Sequence, residues 1–358
     1  MITVSLCMIV KNEEKVLERV LKCAARICDE LIVVDTGSTD KTVEIARKYS
    51  EKVRFFEWID DFSAARNYSF SQAVMDYILW LDADDVLTEE NIGKFASLKE
   101  SLQPATDIVM MKYETAFDGA GRPTFSYYRE RLLRRAHGFV WQDPVHEVIV
   151  PAGKIVYSDI AVQHRKTGGG LPGRNLAIYE KMIRSGRTLS PRQRFYYARE
   201  LMYADEKQNA IREFRAFLQL KDAWVENKIS ACLDLSKCLL EAGDREDALA
   251  ALLQSFIYDA PRAEILCAIG KFLTNEGKYK QAAYWYRSAL SCDKSANRQN
   301  FTSPDCYDFI PYLQLCVCHD RMGDRVGAEL WNRKAGKIKP KDPAYLYNVK
   351  YFKGLKQK

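Results

Sequence analysis

The feature that most constrains the fold is a series of four hydrophobic runs within residues 1–85, each of which ends at polar or acidic residues. Helical patterns separate the runs, so the sequence predicts parallel βαβ units with right-handed crossovers. Ligands of such open sheets bind beyond the carboxyl ends of the strands, and the acidic residues of this sequence fall at those ends. The four runs are Val4 to Val10, Leu31 to Val34, Val53 to Trp58, and Ile78 to Leu81.

Capping residues and apolar spacing predict three helices between these strands. Asn12 is a favourable N-cap residue, and apolar side chains recur at helical spacing from Val16 to Ala24. A second helix is predicted after Asp40, and a third begins near Ser63. The acidic pair Asp60-Asp61 has the chemistry of a turn and cap before the third helix, which we favour over a metal site.

The polar segments at the strand ends each allow two interpretations. Asp35 to Asp40 is rich in the residue types that turns and helix caps prefer, so a turn and a nucleotide contact are equally consistent with it. Arg66 and Asn67 fit either a functional pair or a solvated helix face. Asp82 and Asp84 are more informative, because carboxylates packed after an apolar strand repel one another unless a cation lies between them.

Three segments of the chain resemble a known family. Leu31 to Asp40 and Trp80 to Asp85 are similar to the donor-binding half of family 2 glycosyltransferases of the GT-A fold. Trp58 to Asn67, which lies between them, is similar to a narrower branch that includes peptide S-glycosyltransferases of the sublancin type and many glycosyltransferases fused to tetratricopeptide repeats. The resemblance covers roughly residues 1–185. It implies an α/β catalytic domain at residues 1–190, with a Rossmann-like GT-A nucleotide-sugar-binding fold.

The resemblance also implies which residues bind the donor, a UDP-sugar. Asp35 is expected to hydrogen-bond the nucleoside, since a carboxylate accepts two hydrogens in a bidentate contact. Arg66 is expected to place a fixed cation near the diphosphate or the sugar. The residues assigned to nucleotide-sugar binding are Val10, Lys11, Asn12, Glu13, Asp35, Gly37, Arg66, Asp82 and Ala83.

A divalent cation is expected at the same site, because the departing diphosphate must be neutralised by a Lewis acid. Carboxylate oxygens suit Mn²⁺ or Mg²⁺. The resemblance implies that Asp84 binds the cation directly and that Asp82 binds the ribose or a metal-bound water. His164 is a further candidate for the metal or the phosphate, although a histidine at a strand end is more often structural. Residues 166–173, with the charges of Lys166 and Arg174 beside Gly168 to Gly170, are a candidate lid.

The acceptor half must supply a general base, because an inverting transferase removes a proton from the acceptor. Asp143, His146 and Glu147 are candidates. The resemblance favours Glu147 as the base with His146 on the phosphate side, and the assignment among the three stays open. The strands predicted around them are Ile108 to Met111, Phe125 to Tyr128, Arg131 to Leu133, Val145 to Val150 and Ile155 to Val162, with a turn at Gly119 to Pro123.

The second half of the chain has only helical patterns, with an internal repeat. Gly243 followed by Ala248 and Gly277 followed by Ala282 lie one tetratricopeptide period apart. Related patterns near residues 205 and 323 predict four helix pairs in an all-α domain at residues 191–358, with a capping helix from Tyr345 to Phe352 and an insertion centred on residues 293–304. Such solenoids bind peptides or pack as dimers, so a peptide or protein acceptor, and a homodimer, are expected through the repeats.

Composition bears on whether the protein binds nucleic acid, spans a membrane or is secreted. The hydrophobic fraction is 47%, the charged fraction is 28% and the formal net charge is +6, which suits an anionic donor but does not indicate nucleic acid. No apolar run has membrane-spanning length, and Met1 to Val10 is interpreted as the first strand and not as a signal peptide. The 10 cysteines have no metal-site spacing and are interpreted as reduced thiols of a cytoplasmic enzyme.

The sequence therefore predicts an inverting, metal-dependent glycosyltransferase that moves a sugar from a UDP-sugar to a Cys, Ser or Thr side chain. One alternative is a transferase that extends a lipopolysaccharide core or another cell-surface glycan, with the same donor half. A second alternative is a non-catalytic scaffold with a vestigial sugar-nucleotide site. The presence of Asp82, Asp84 and Glu147 argues against the scaffold.

Overall fold

A computed structural model of the chain describes residues 1–165, 173–293 and 303–356. These residues form two compact units, Met1–Thr188 and Leu189–Lys358. Throughout the part of the chain that is described, no helix combines the length and the apolar character that crossing a bilayer requires.

The first unit alternates strands and helices and then continues mainly in strands. Its strands are β1 (Val4–Val10), β2 (Glu30–Asp35), β3 (Lys52–Phe55), β4 (Tyr77–Trp80), β5 (Asp85–Val86), β6 (Ile108–Phe117), β7 (Pro123–Arg134), β8 (Trp141–Gln142), β9 (Val148–Ile149) and β10 (Ile155–His164). Its helices are α1 (Leu17–Ala24), α2 (Thr42–Arg47), α3 (Phe62–Ser71), α4 (Glu89–Ser101) and α5 (Arg174–Arg184).

An eight-stranded mixed sheet organises this unit, in the order β3-β2-β1-β4-β7-β6-β10-β5. The first four strands are parallel, which confirms the predicted βαβ series. The strand β7 is antiparallel to both β4 and β6, and β8 pairs with β9 in a separate ribbon. The strands β1, β2 and β4 are buried almost throughout and are mostly apolar, as is usual for parallel strands covered on both faces. Their carboxyl ends lie at one edge of the sheet.

The predicted helix starts are correct for α3 and wrong for α1. Asp61 caps α3 by accepting a hydrogen bond from the Ala64 amide, as its residue type predicts. Asn12, by contrast, does not cap α1, which begins at Leu17 without a side-chain cap. Its backbone has a φ of 55°, and its amide oxygen accepts a hydrogen bond from the Thr39 amide. The chemistry that makes asparagine a good cap is used here to join two loops.

Four predicted strand segments differ from the structure. The run that begins at Val53 stays a strand only to Phe55, and the separate runs within residues 125–133 form the single long strand β7. The run Val145 to Val150 contributes only β9, because residues 143–147 form a loop. One reason is that the Pro144 carbonyl accepts a hydrogen bond from the Phe62 amide of α3 and not from a neighbouring strand.

The second unit is entirely helical in the part that is described, which confirms the predicted repeats. The pairs are α6–α7, α8–α9, α10–α11 and α12–α13, and α14 follows them as the predicted capping helix. Their bounds are α6 (Pro191–Tyr203), α7 (Lys207–Leu218), α8 (Val225–Glu241), α9 (Arg245–Gln254), α10 (Ala263–Asn275), α11 (Tyr279–Ala289), α12 (Phe309–Arg321), α13 (Arg325–Ile338) and α14 (Pro343–Lys356). Most of the predicted insertion lies outside the described residues.

The turn within each helix pair explains the glycine period. Gly243, Gly277 and Gly323 have φ values of 87°, 72° and 84°, in the left-handed region that glycine adopts without strain. Asp205 occupies the same position in the first pair with a φ of 62°. Aspartate tolerates this conformation better than most residues, which explains how the first repeat keeps its turn without glycine.

Candidate active site

The loops after β1 and β2 are joined by side chains that bind backbone amides. Asn12 N donates to Ser38 Oγ at 2.9 Å, and Glu13 N donates to Thr42 Oγ1 at 2.7 Å. In the other direction, Thr39 N donates to Asn12 Oδ1 at 2.7 Å. These hydrogen bonds hold two of the predicted donor-binding segments against each other, at the edge where the strands end.

Asp35 closes its own loop. Its carboxylate is buried and accepts hydrogen bonds from Gly37 N at 3.0 Å and from Ser38 N at 3.1 Å, while Gly37 takes a φ of 101°. This is the turn chemistry that one interpretation of the sequence predicts. The contact of Asp35 with a nucleoside stays a prediction, as do the donor roles of the neighbouring Val10, which is buried, and Lys11, which is exposed.

Arg66 joins the predicted donor side of the site to the predicted acceptor side. Its Nη2 donates to Asp82 Oδ1 at 2.7 Å, and its Nε donates to Glu147 Oε1 at 2.7 Å. The guanidinium lies 4.9 Å from the Trp141 ring centroid and 5.3 Å from that of Trp80. Both distances are within the range of cation–π attraction. Arg66 is therefore a fixed cation and not part of a solvated face.

The charges of this cluster stabilise one another. Burial disfavours the charged form of Arg66, but the adjacent Asp82 and Glu147 raise its pKa above the usual value. Burial likewise opposes ionisation of Asp82, but Arg66 and Arg131 more than compensate and lower the pKa of Asp82 to about 2. Asp82 is therefore a carboxylate throughout the physiological pH range.

The loop that carries the candidate bases is held by α3 and α5. Asn67 donates from Nδ2 to the Trp141 carbonyl at 2.9 Å and accepts from the Trp141 amide at 2.8 Å. Asp143 and His146 have φ values of 73° and 53°, a strained conformation for residues that are not glycine, and such strain concentrates at functional sites. The His146 ring lies parallel to the Tyr179 ring of α5, with 6.2 Å between centroids. Of the three candidates, Glu147 is the one that Arg66 links to Asp82.

A group of possible cation ligands lies beside this cluster. One ligand atom each from Asp84, Asp85 and His164 can be chosen so that all lie within 4.8 Å of one another. His164 Nδ1 is 3.1 Å from Asp84 Oδ1 and 3.7 Å from Asp85 Oδ1. The contacts with Asp84 and then with Asp85 raise the pKa of His164 to about 10. A bound divalent cation would take the place of that proton, because an imidazole that binds a metal is neutral.

These residues fit Mn²⁺ or Mg²⁺. Asp85 Oδ1 is fully buried and has no hydrogen-bond partner among the described residues, an arrangement that is costly unless a cation or a water satisfies the oxygen. Two carboxylates and one imidazole are suitable ligands for Mn²⁺. Asp82, in contrast, directs Oδ1 to Arg66. Asp82 does not belong to the group of possible cation ligands among the described residues.

Sequence reasoning missed the residues that support this group. Asp85 Oδ2 accepts a hydrogen bond from the Asp82 amide at 2.9 Å and lies 3.0 Å from Arg131 Nη1, and both Asp85 and Arg131 are fully buried. Tyr113 Oη is 2.9 Å from His164 Nδ1. One signal in the sequence is the pair Glu130 and Arg131 directly before the apolar Leu132 and Leu133 of β7, because charged residues in a buried stretch indicate a buried partner.

Loss of Arg131 is expected to destabilise the first unit. Arg131→Met should lower the free energy of unfolding by about 3–5 kcal/mol, because it leaves Asp85 as an uncompensated buried charge. In calorimetry of the full chain, the unfolding transition of this unit should occur at a lower temperature in Arg131→Met than in the wild type. Arg122→Met removes an exposed hairpin arginine that pairs with Asp118 and should change little. An unaltered transition in Arg131→Met would contradict the argument.

The candidate lid is almost entirely outside the described residues. Lys166 and residues 167–172 belong to the gap, whereas Arg174 is described and lies with its guanidinium 4.6 Å from the Phe62 ring centroid. Lid motion therefore stays a prediction.

The fold and the site together define a class. A parallel βαβ series followed by antiparallel strands, with an Asp-Ala-Asp motif at the end of β4 and a carboxylate opposite, is the architecture of a GT-A glycosyltransferase domain. Residues 5–153 match the sequence profile of Glycosyl transferase family 2. This part of the chain belongs to that family, and it is fused to tetratricopeptide repeats.

Two relatives are similar to part of this chain. A TPR repeat-containing protein from Synechococcus elongatus is 41% identical over 151 residues, which cover 42% of this chain and 36% of the relative. The SPbeta prophage-derived glycosyltransferase SunS of Bacillus subtilis is 29% identical over 223 residues, which cover 58% of this chain and 51% of the relative. The chain thus spans about a third to a half of the length of these two relatives.

Among solved structures, S. aureus TarS is similar to this chain, and the alignment covers 70% of this chain and 50% of the TarS chain. The sequence identity is 17% and the TM-score is 0.35.

Proposed function

We propose that the chain is an inverting, metal-dependent glycosyltransferase that moves a sugar from a nucleoside diphosphate, specifically a UDP-sugar, to a Cys, Ser or Thr side chain of a peptide or protein. The observation that carries the proposal is the Arg66 bridge, which holds Asp82 and Glu147 by hydrogen bonds of 2.7 Å each. A carboxylate of the donor motif and a carboxylate suited to act as a base are thereby fixed on either side of one guanidinium.

On the donor side, different residues bind the cation, the ribose and the nucleoside. Asp84, Asp85 and His164 would hold the cation, which would neutralise the charge of the leaving diphosphate. Asp82 is kept ionised by Arg66 and Arg131 and accepts hydrogen bonds from the ribose. The joined loops after β1 and β2 frame the nucleoside.

On the acceptor side, Glu147 removes the proton from the attacking hydroxyl or thiol. Its Oε1 accepts the hydrogen bond from Arg66, and we assign Oε2 to the acceptor. Because the guanidinium packs against the rings of both Trp80 and Trp141, the carboxylate is held in one orientation. Attack from the face opposite the leaving diphosphate inverts the configuration of the anomeric carbon.

Two features support a polypeptide as the acceptor. The repeat unit is of a type that offers extended surfaces for binding other chains, and Trp58 to Asn67 resembles the sublancin-type branch. In the structure this segment is not peripheral, since it contains Arg66 and also Asn67, which holds the loop of candidate bases.

The proposal is tested by identifying the donor before the acceptor. The full chain is incubated with Mn²⁺ and a panel of UDP-, GDP- and dTDP-sugars, and mass spectrometry follows the release of nucleoside diphosphate. We expect slow hydrolysis of one or more UDP-sugars. The accepted donor is then offered with matched peptides that contain one Cys, Ser or Thr, and we expect a peptide mass increase of one sugar.

Two outcomes would overturn parts of the proposal. Transfer to lipid-linked or lipopolysaccharide oligosaccharides, with none to any peptide, would replace the polypeptide acceptor by a glycan. Absence of hydrolysis and transfer for every donor, with intact folding, would contradict the enzymatic function itself.

A further inference from the structure

The distance between Asp84 and His164 depends on a very short strand pairing. The strand β5 contains two residues, Asp85–Val86, and pairs with the end of β10 so that His164 lies opposite Asp85. The Arg165 amide adds one hydrogen bond to the Asp84 carbonyl, at 2.9 Å. Strands usually run 3–10 residues, so this pairing alone supplies few hydrogen bonds to fix the two side chains relative to each other.

Arg19 of α1 supplies a second connection between the same two segments. Its Nη2 donates to the Asp84 carbonyl at 3.1 Å and to the Arg165 carbonyl at 3.0 Å. Hydrogen bonds from an ionised donor are roughly twice as strong as neutral ones. The helix beneath Arg19 is a rigid support, because its neighbours Leu17 and Val20 are fully buried in the core.

We propose that Arg19 is a positioning residue for the cation site, which holds the backbone of Asp84 and the residue after His164 at a fixed separation. The inference rests on the proposed function, since it assumes that Asp84 and His164 bind the cation. Arg19 itself binds backbone oxygens and contributes no ligand atom. Supporting residues of this kind commonly change metal affinity by about 10- to 100-fold when they are removed.

Electrostatics alone predicts the opposite result, which makes the proposal easy to test. Arg19 carries a positive charge beside the site, and the removal of a like charge should strengthen the binding of a cation. The loss of positioning should weaken it. The direction of the change in Mn²⁺ affinity therefore distinguishes a positioning role from a simple charge effect.

The experiment measures Mn²⁺ binding directly, without donor and without turnover. Free Mn²⁺ is quantified by electron paramagnetic resonance during titration of the full chain, and calorimetry monitors stability. We expect Arg19→Met to raise the Kd for Mn²⁺ by about 10- to 100-fold and Arg19→Lys to recover part of that loss, since an ammonium group can still donate to a carbonyl. The matched control is Arg26→Met. Arg26 lies just beyond the end of the same helix and donates a hydrogen bond to the exposed Glu89 at 2.7 Å. Its loss should leave the Kd for Mn²⁺ within about twofold of the wild-type value.

An unchanged or lower Kd in Arg19→Met would overturn the proposal, as would a wild-type protein that binds no Mn²⁺. If Arg19→Met does not fold, Arg19→Lys decides the question. A wild-type Kd for Mn²⁺ and wild-type stability in Arg19→Lys would show that contact with both carbonyls is not needed, and this would overturn the proposal. A protein that binds Mn²⁺ with the expected Arg19 dependence but transfers no sugar would contradict the proposed function and leave this inference intact.

Discussion

Asp84→Ala is expected to abolish detectable sugar transfer and to remove its dependence on Mn²⁺. Asp84 contributes one of three ligand atoms in the candidate cation group. Stabilisation of the leaving diphosphate by a cation contributes several kcal/mol, which corresponds to a loss of about a thousandfold or more in rate. The rate of release of nucleoside diphosphate, measured over a range of Mn²⁺ concentrations, checks this expectation.

The matched control for this variant is Asp159→Ala. Asp159 is exposed and pairs with Lys94 at 2.9 Å on the surface of the same unit, so its loss should leave both the rate and the Mn²⁺ dependence unchanged. Full activity of Asp84→Ala with added Mn²⁺ and donor would refute the assignment of Asp84 as a metal ligand. It would leave the family assignment of the domain untouched.

Glu147→Gln is expected to separate serine acceptors from cysteine acceptors. General-base catalysis contributes about two to four orders of magnitude, and a hydroxyl needs that help far more than a thiol. A free thiol has a pKa of about 8.5, so part of it is already thiolate at neutral pH. We therefore expect transfer to a serine peptide to fall by about 100- to 10,000-fold. Transfer to the matched cysteine peptide should fall much less, with a residual rate that rises with pH.

The control for Glu147→Gln must separate loss of the base from loss of geometry, because Glu147 also accepts a hydrogen bond from Arg66. Arg66→Lys keeps a cation between the two carboxylates but loses the forked contact, so it should slow both peptides by a similar factor. Equal losses on both peptides in Glu147→Gln would refute the acceptor argument. No loss on either peptide would move the base to Asp143 or His146.

The parts of the fold that the sequence predicts well are those with local, periodic signals. The buried parallel strands are continuous apolar runs, and the helix pairs repeat a turn that needs positive φ at Gly243 and Gly277. Asn12 was misjudged because a cap and a bridge between loops use the same side-chain chemistry, and only the contact with Thr39 distinguishes them. The run Val145 to Val150 is a strand only in part, because Val148 and Ile149 pair with β8 while residues 143–147 form a loop.

In the candidate site, too, the sequence predicts the residues with local signals but not the long-range contacts. Asp84 and His164 stand at strand ends that the pattern locates, and the structure brings them within 3.1 Å of each other. The buried pair of Asp85 with Arg131 joins two strands that are far apart in the chain, and nothing local requires that pairing. The Arg66 bridge is also a long-range contact, so the sequence suggested a cation there but not the two carboxylates that hold it.

The joined loops after β1 and β2 have a consequence for phosphate recognition. Many nucleotide-binding folds hold phosphates with free backbone amides at the start of a helix. In these loops, side-chain oxygens of the facing loop, or of the same turn, already bind several backbone amides, including those of Asn12, Glu13 and Thr42. A diphosphate at this edge therefore has fewer amide donors to replace its lost water, and its negative charge must be balanced largely by a metal ion and by cationic side chains.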